Sequence, residues 1–186
     1  MIPGGALYVP GAERLIPKLI RILDFARKNS VSVLSSADAH GSNDPEFQEF
    51  PPHCITGTEG QRKIDATLLP RPFVFENKPA DRNLVEIVKK HQQIIVQKQE
   101  LDVFSNPVTE KLLRILPKHA IVFGVTTEYC VKLAVVGLRR LGIKVAVVVD
   151  AVQALEPRTG EAAIEEIRRL GVEFITTETL LGTNAA

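Results

Sequence analysis

The residue with the clearest chemical potential in this sequence is Cys130, the last residue of the string GVTTEYC at positions 124–130. An apolar stretch precedes this string and a helical pattern follows it, so Cys130 is expected at the start of a helix. Unpaired backbone N–H groups and the helix dipole favour a nucleophilic thiolate there, and the same groups could hold an oxyanion. Without further information, a small buried core cysteine is an equally good interpretation.

A second group of polar side chains could bind a metal ion. Asp38 and His40 follow an apolar stretch, and His53 lies in the segment PPHCITGT at positions 51–58. One carboxylate and two imidazoles suit zinc, iron or manganese, and they leave coordination positions for water or substrate. The spacing alone does not distinguish such a site from a polar loop. Cys54 is interpreted as a bystander beside a ligand.

Lys98 is the third residue that could take part in chemistry, because it follows the apolar stretch 94–96 at the predicted end of a strand. A lysine is costly to bury unless its charge is used. An ammonium group near a thiolate would stabilise the ionised thiol. The alternative is a lysine that extends from the strand end to solvent.

These strings resemble segments of the isochorismatase-like cysteine hydrolases, and in particular of the nicotinamidase branch. Residues 124–131 resemble the nucleophile signature of that family, and residues 38–40 and 51–58 resemble its metal-binding segments. The similarity extends over nearly the whole chain. Residues 101–106 depart from the aromatic-rich run common in nicotinamidases, so the substrate-binding residues stay unknown.

The resemblance implies a role for each matching position. Cys130 would be the nucleophile and Lys98 the catalytic lysine, and the backbone N–H groups of Thr126 and Cys130 would form the oxyanion hole. The peptide bond before Thr126 is expected to be cis. The family's divalent metal ion (zinc, iron or manganese) anchors a ring nitrogen of the substrate, and the positions that match its ligands are Asp38, His40 and His53.

The elements that must position these residues alternate between apolar strands and amphipathic helices, which predicts an α/β fold with a parallel sheet. Strands are expected near residues 31–35, 94–97, 120–125, 144–149 and 172–176. Helices are expected near residues 12–28, 81–88, 107–116, 131–141 and 159–170, with an irregular stretch over 38–77. Ligands bind beyond the carboxyl ends of such strands, where all three chemical strings lie. The resemblance specifies a three-layer sandwich around a doubly wound, mostly parallel sheet of Rossmann-like order, 3-2-1-4-5-6.

Family members usually carry a strand before the segment at positions 3–7, and that strand ends in the aspartate that acts as general base. This sequence opens with Met-Ile-Pro, so we expect the first strand and its aspartate to be missing. Either the start is misplaced or the chain is a short variant with little activity.

Composition narrows the classes of function. With 186 residues, 24% charged and 45% hydrophobic, the chain is expected to form a single domain over residues 1–186. A net charge of +1 gives no reason to expect binding to nucleic acid or to a membrane. Two cysteines and no recognisable signal peptide favour the cytoplasm. We also expect a small-molecule substrate and a homo-oligomer.

The leading hypothesis is a metal-assisted cysteine amidohydrolase acting on a small carboxamide, with conversion of nicotinamide to nicotinate and ammonia as the best guess. A second is another isochorismatase-family hydrolase with an unknown small substrate. A third is a metal-binding homologue whose catalysis is impaired because the aspartate is absent. A fourth is a zinc hydrolase that uses metal-bound water and does not need Cys130.

Overall fold

A computed structural model describes residues 1–182, which fall into two compact units, each with its own three-stranded parallel sheet. The first unit comprises Gly4–Tyr8 and Ala26–Leu116. The second comprises Met1–Pro3, Val9–Phe25 and Pro117–Ala186, of which the last four residues lie outside the described part. The parallel α/β architecture expected from the sequence is therefore confirmed. The assignment of residues 1–186 to one domain stays a prediction.

The first unit is built on a sheet of order β1-β3-β2, with β3 in the centre. Its strands are β1 (Val33–Asp38), β2 (Phe73–Phe75) and β3 (Gln93–Lys98), and its helices are α2 (Leu84–Lys90) and α3 (Thr109–Ile115). Strands β1 and β3 lie where the apolar stretches predict them, within a few residues. Strand β2 was not predicted, because three residues within an otherwise irregular stretch are too short to show a period of two.

The second unit has the sheet order β4-β5-β6. Its strands are β4 (His119–Val125), β5 (Lys144–Gln153) and β6 (Glu173–Ile175). Its helices are α1 (Ile16–Lys28, whose last three residues belong to the first unit), α4 (Lys132–Arg140), α5 (Pro157–Arg169) and α6 (Thr177–Gly182). The central strand β5 has a run of four buried residues from Val145 to Val148, as expected for a parallel strand covered on both faces. Among the described helices, none combines the length and the apolar character needed to cross a membrane.

The helix ends follow local rules. Helices α4 and α5 are followed by Gly142 and Gly171, whose positive φ angles of 72° and 66° suit glycine. Helix α5 begins at Pro157, two residues before the predicted start, because proline is favoured at the first helical position. Helix α2 begins at Leu84, three residues after the predicted start, because its N-cap is Asn83, whose side chain accepts the N–H of Glu86.

Helix α3 begins at Thr109, two residues after the predicted start, and the buried side chain of Asn106 just before it connects three segments. Its amide nitrogen donates to the carbonyl oxygens of Glu76 and Gln97, and its oxygen accepts the N–H of Val108. The bond to Glu76, which is 30 residues away, leaves no trace in the local sequence.

Gln93, the first residue of β3, fixes the loop that leads to β2. Its side chain is fully buried and all its hydrogen-bonding groups are used. The amide nitrogen donates to Ser35 Oγ and to the carbonyl oxygen of Thr67, at 3.0 and 2.9 Å, and the amide oxygen accepts the N–H of Leu69 at 2.7 Å. The loop backbone therefore depends on one side chain for its buried polar groups.

Replacing Gln93 with leucine is expected to lower the free energy of unfolding by about 2–4 kcal/mol, since each buried group left without a partner costs roughly 1–3 kcal/mol. Urea unfolding followed by circular dichroism measures the change. The matched control is Gln99→Leu at an exposed position, where the expected change is within about 0.5 kcal/mol. Equal effects of the two substitutions would contradict this role of Gln93.

Candidate functional site

The three residues predicted to bind a metal all lie in the first unit, and backbone pairing brings them together. Asp38 is the last residue of β1. His40 follows it and forms a parallel bridge with Ile55, in which His40 N–H donates to the carbonyl of Cys54 and His40 carbonyl accepts from Thr56 N–H. This bridge places His53 beside His40, with ring centroids 4.7 Å apart.

The ligand atoms of Asp38, His40 and His53 lie within 4.8 Å of one another, so the three side chains form a cluster that could hold a metal ion. Both imidazoles are buried, and that of His40 is fully so. The ring of Phe47 lies 5.4 Å from the His40 ring and 5.8 Å from the His53 ring, which limits the freedom of both.

The nearest polar contact of each imidazole is at Nδ1, which leaves Nε2 of each ring for a metal ion. Nδ1 of His53 lies 2.9 Å from the carbonyl oxygen of Pro51; a carbonyl can only accept, so Nδ1 carries the hydrogen and the lone pair is on Nε2. Nδ1 of His40 lies 3.1 Å from a carboxylate oxygen of Asp44, and neither His40 nitrogen has an aligned hydrogen-bond partner within residues 1–182. A buried ring nitrogen without a partner is costly, and a metal ion would satisfy it. The cluster therefore fits a metal.

Two acidic residues of the loop after His40 were not identified from the sequence. Glu46 Oε1 lies 3.8 Å from His40 Nε2 and 3.7 Å from His53 Nε2, close to the nitrogens that would face a metal. Burial, and to a smaller extent the Asp38 carboxylate, raise the pKa of Glu46, although His40 opposes the shift. Glu46 is thus a candidate fourth ligand. An acidic residue in a loop is too common for sequence alone to single it out.

Asp44, the other acidic residue, supports the cluster from the side of His40. Its carboxylate accepts the N–H of Glu46 at 3.0 Å and faces His40 Nδ1. Partial burial opposes ionisation, but the N–H groups of Glu46 and Gly41 and the contact with His40 outweigh it and lower the pKa of Asp44. An ionised Asp44 can orient the His40 ring, as carboxylates next to metal-binding histidines do.

Lys98 is buried at the end of β3, where the parallel register places it directly opposite Asp38. Its ammonium group forms an ion pair with the Asp38 carboxylate and also donates to the carbonyl of Glu100 at 2.9 Å. The side chain therefore does not extend to solvent. The Asp38 partner was not foreseen, and it connects Lys98 to the candidate metal cluster.

Cys54 lies next to His53 in a left-handed backbone conformation, with a φ angle of 45°. Burial, and secondarily the Asp38 carboxylate, raise the pKa of the Cys54 thiol to about 11. The thiol is therefore protonated at neutral pH, which agrees with its interpretation as a bystander.

Cys130 lies in the second unit, in a π-helical turn, Thr127–Val131, between β4 and α4. The sequence predicts an ordinary helix start at this point. In the structure the N–H groups of Tyr129 and Val131 both donate to the carbonyl of Thr126, at 3.3 and 3.0 Å. The Val125–Thr126 peptide bond is cis, as the family resemblance implies. Single π-helical turns are rare and frequently occur at functional sites.

The comparisons with known proteins identify the family of this chain. The model of the isochorismatase domain matches residues 1–179. The nicotinamidase of Escherichia coli (strain K12) is 24% identical over 200 residues, which cover 93% of this chain and 88% of that protein.

Solved structures show the same fold. The pyrazinamidase of Pyrococcus horikoshii in complex with zinc is 25% identical, with a TM-score of 0.77 over 94% of this chain and 92% of that one. An isochorismatase family protein from Desulfovibrio vulgaris is 24% identical, with a TM-score of 0.76 over 100% of this chain and 92% of that one. Since the domain model covers almost the whole sequence, the chain belongs to the isochorismatase family of hydrolases.

Proposed function

We propose that this protein is a metal-assisted cysteine amidohydrolase that acts on a small carboxamide carried by a nitrogen-containing ring, with nicotinamide as the leading candidate. The observation that carries the proposal is the cluster of Asp38, His40 and His53, in which a fully buried imidazole nitrogen lacks a hydrogen-bond partner within residues 1–182. The names of two relatives, a nicotinamidase and a zinc-bound pyrazinamidase, support the same substrate class.

The proposed reaction uses Cys130 as the nucleophile. Its thiolate attacks the carbonyl carbon, and the backbone N–H groups of Thr126 and Cys130 would donate to the oxyanion. The carbon–nitrogen bond then breaks as the amide nitrogen takes the proton that the thiol released, and ammonia leaves. Water hydrolyses the thioester, which releases the carboxylate and restores the thiol.

In the proposed reaction, residues of the first unit bind and orient the substrate. A divalent ion held by Asp38, His40 and His53 would supply a Lewis-acidic position for the ring nitrogen of the substrate. Lys98 holds the Asp38 carboxylate in place through their ion pair. The resemblance also assigns to Lys98 the stabilisation of the nucleophilic thiolate.

Replacing Cys130 with alanine is expected to reduce ammonia release from nicotinamide on the order of 10³-fold or more, because the covalent route is lost. The measurement is a coupled ammonia assay, with nicotinate quantified by chromatography and pyrazinamide as a second substrate. The control is Cys54→Ala, which should keep activity within about twofold, since a thiol that is protonated at neutral pH is a poor nucleophile. Full activity without Cys130 would favour metal-bound water as the nucleophile, and no release from either carboxamide by the wild type would contradict the proposed activity and favour the metal-binding homologue with impaired catalysis.

The metal cluster predicts that the purified protein binds one equivalent of a divalent ion, and that His40→Ala or His53→Ala weakens this binding by about 10²-fold or more. Asp44→Asn should weaken it by about 10–100-fold, the usual effect of removing a carboxylate that orients a ligand histidine. The affinity for the metal ion is measured by dialysis against increasing concentrations of a chelator, followed by inductively coupled plasma mass spectrometry of the bound metal. The control is His119→Ala, an exposed histidine of the second unit. Metal binding that is unchanged in the His40 and His53 variants would remove the cluster from the proposal.

The two cysteines should differ strongly in their reaction with iodoacetamide. With a pKa of about 11, only about 0.1% of Cys54 is thiolate at pH 8, and its labelling rate should rise about tenfold per pH unit up to that value. Cys130, at the start of a helix, should react faster and reach its plateau at lower pH. Mass spectrometry of partially alkylated protein gives both rates. Equal labelling would return Cys130 to the class of ordinary core cysteines.

A further inference from the structure

Glu128 is a buried carboxylate that the proposed reaction does not use. It lies two residues before Cys130, as the second residue of the π-helical turn, and is only 5% exposed. A carboxylate is rarely buried without hydrogen bonds or a partner charge, because the loss of hydration is expensive. The hydrogen bonds of the Glu128 side chain therefore show which groups compensate for its lost hydration.

The contacts of Glu128 are with the segment that joins β5 to α5. Its Oε1 atom accepts the backbone N–H of Leu155 at 2.8 Å and that of Glu156 at 3.0 Å, and the hydroxyl of Thr159 lies at 3.3 Å. Glu156 is the N-cap residue of α5, a helix of 13 residues. The N-terminus of a helix favours an anion, since the helix dipole is positive there. One carboxylate oxygen thus connects the turn that carries Cys130 to the start of the next helix.

The joining segment is held tightly against the helix that it precedes. Gly160 is buried in the first turn of α5, and a Cβ atom added to it would lie 2.4 Å from the Cβ atom of Ala154. The N–H groups that Glu128 contacts are therefore fixed by close packing. They provide a rigid anchor point for the turn.

The backbone hydrogen bonds that define the turn are local to it. Both of its characteristic N–H groups, on Tyr129 and Val131, donate to the same carbonyl oxygen, that of Thr126. We infer that Glu128 is a positioning residue, which holds the Cys130 turn on the N-terminus of α5 and so sets the direction of the thiol and of the neighbouring N–H groups. The catalytic consequence rests on the proposed function, whereas the effect on the thiol does not.

Three substitutions of Glu128 can separate the effect of its charge from that of its hydrogen bonds, because only one of its two carboxylate oxygens is hydrogen-bonded within residues 1–182. Oε2 is buried and has no hydrogen-bond partner in the described part of the chain. In Glu128→Gln the amide oxygen can keep the contacts of Oε1 while the amide nitrogen takes the place of Oε2, so the anchor survives without the charge. Glu128→Asp keeps the charge but is one methylene too short to reach the same N–H groups. Glu128→Ala removes both.

Asp150 provides a matched control in the same unit. Its carboxylate accepts the N–H and the hydroxyl of Thr177, at 2.7 and 3.1 Å, at the start of α6, and pairs with Lys18 at 3.0 Å. Asp150→Asn therefore weakens a comparable attachment of a carboxylate to a helix start. It should lower the melting temperature without affecting the Cys130 turn.

The first arm of the test measures the alkylation rate of Cys130 by iodoacetamide from pH 6 to 10, in the Cys54→Ala background. In Glu128→Ala and Glu128→Asp the midpoint of the pH profile should rise toward about 8.5, the value of a free cysteine. Glu128→Gln and Asp150→Asn should stay near the wild-type midpoint. If Glu128 acted only through its negative charge, the midpoint would shift the other way. Removing the anion would then lower the midpoint of the pH profile in both Glu128→Ala and Glu128→Gln.

The second arm measures kcat and KM with nicotinamide. Glu128→Ala and Glu128→Asp should lower kcat by about 10²-fold with KM within about threefold, since a small misplacement of a reacting group has that effect. Glu128→Gln should retain kcat within about tenfold, and Asp150→Asn within about twofold. If Glu128→Ala does not fold, Glu128→Asp decides the question.

Wild-type alkylation profiles in both Glu128→Ala and Glu128→Asp would overturn the inference, whatever happens to the melting temperature. A wild type that hydrolyses no carboxamide would refute the proposed function, and the alkylation arm would still decide the role of Glu128. Normal turnover together with normal alkylation in the two variants would refute the inference and leave the proposed function intact.

Discussion

The ion pair between Asp38 and Lys98 is the interaction on which the first unit depends. Two parallel strands end in register, and the last residue of each carries a charge of opposite sign. A buried ammonium group is expensive unless it is paired, and the Asp38 carboxylate and the Glu100 carbonyl satisfy it here. The same carboxylate is a candidate metal ligand. The geometry of the sheet, the burial of the lysine and the orientation of the ligand are therefore one constraint, and a change in any of them affects the others.

The chemical residues could be selected from the sequence, but several of their partners could not. Asp38 and His40 are adjacent to a recognisable strand end, whereas His53 meets His40 only because of the bridge to Ile55, which follows from the path of a long loop. Glu46 and Glu128 were missed for a related reason. Each contacts residues that are distant along the chain or that are positioned by loop geometry. Hydrophobic periodicity predicts which face of an element is buried, but it does not predict which residues that face contacts.

The fold was predicted most reliably where burial repeats regularly. Strand β5 begins at the predicted residue and continues four residues past its predicted end, and helix α5 lies within two residues of its predicted bounds. The short strand β2 and the bond of Asn106 to Glu76 depend on segments distant along the chain, so the local sequence does not specify them. In the strand order expected from the family resemblance, β1 and β4 would flank the first strand, and here each is an edge strand whose residues are mostly half buried. The cytoplasmic location and the homo-oligomer stay predictions.

The close approach of Gly160 and Ala154 has a consequence for how this sequence can change over time. With alanine at position 154, any side chain at position 160 would collide with it, so the first turn of α5 admits only glycine there. If position 154 first became glycine, the clash would disappear and position 160 would accept alanine, a residue better suited to a helix interior. The reverse order passes through an intermediate in which the α5 start is displaced. Position 154 must therefore change before position 160 during evolution. Related sequences should show a small residue at one of the two positions wherever the other has gained a side chain.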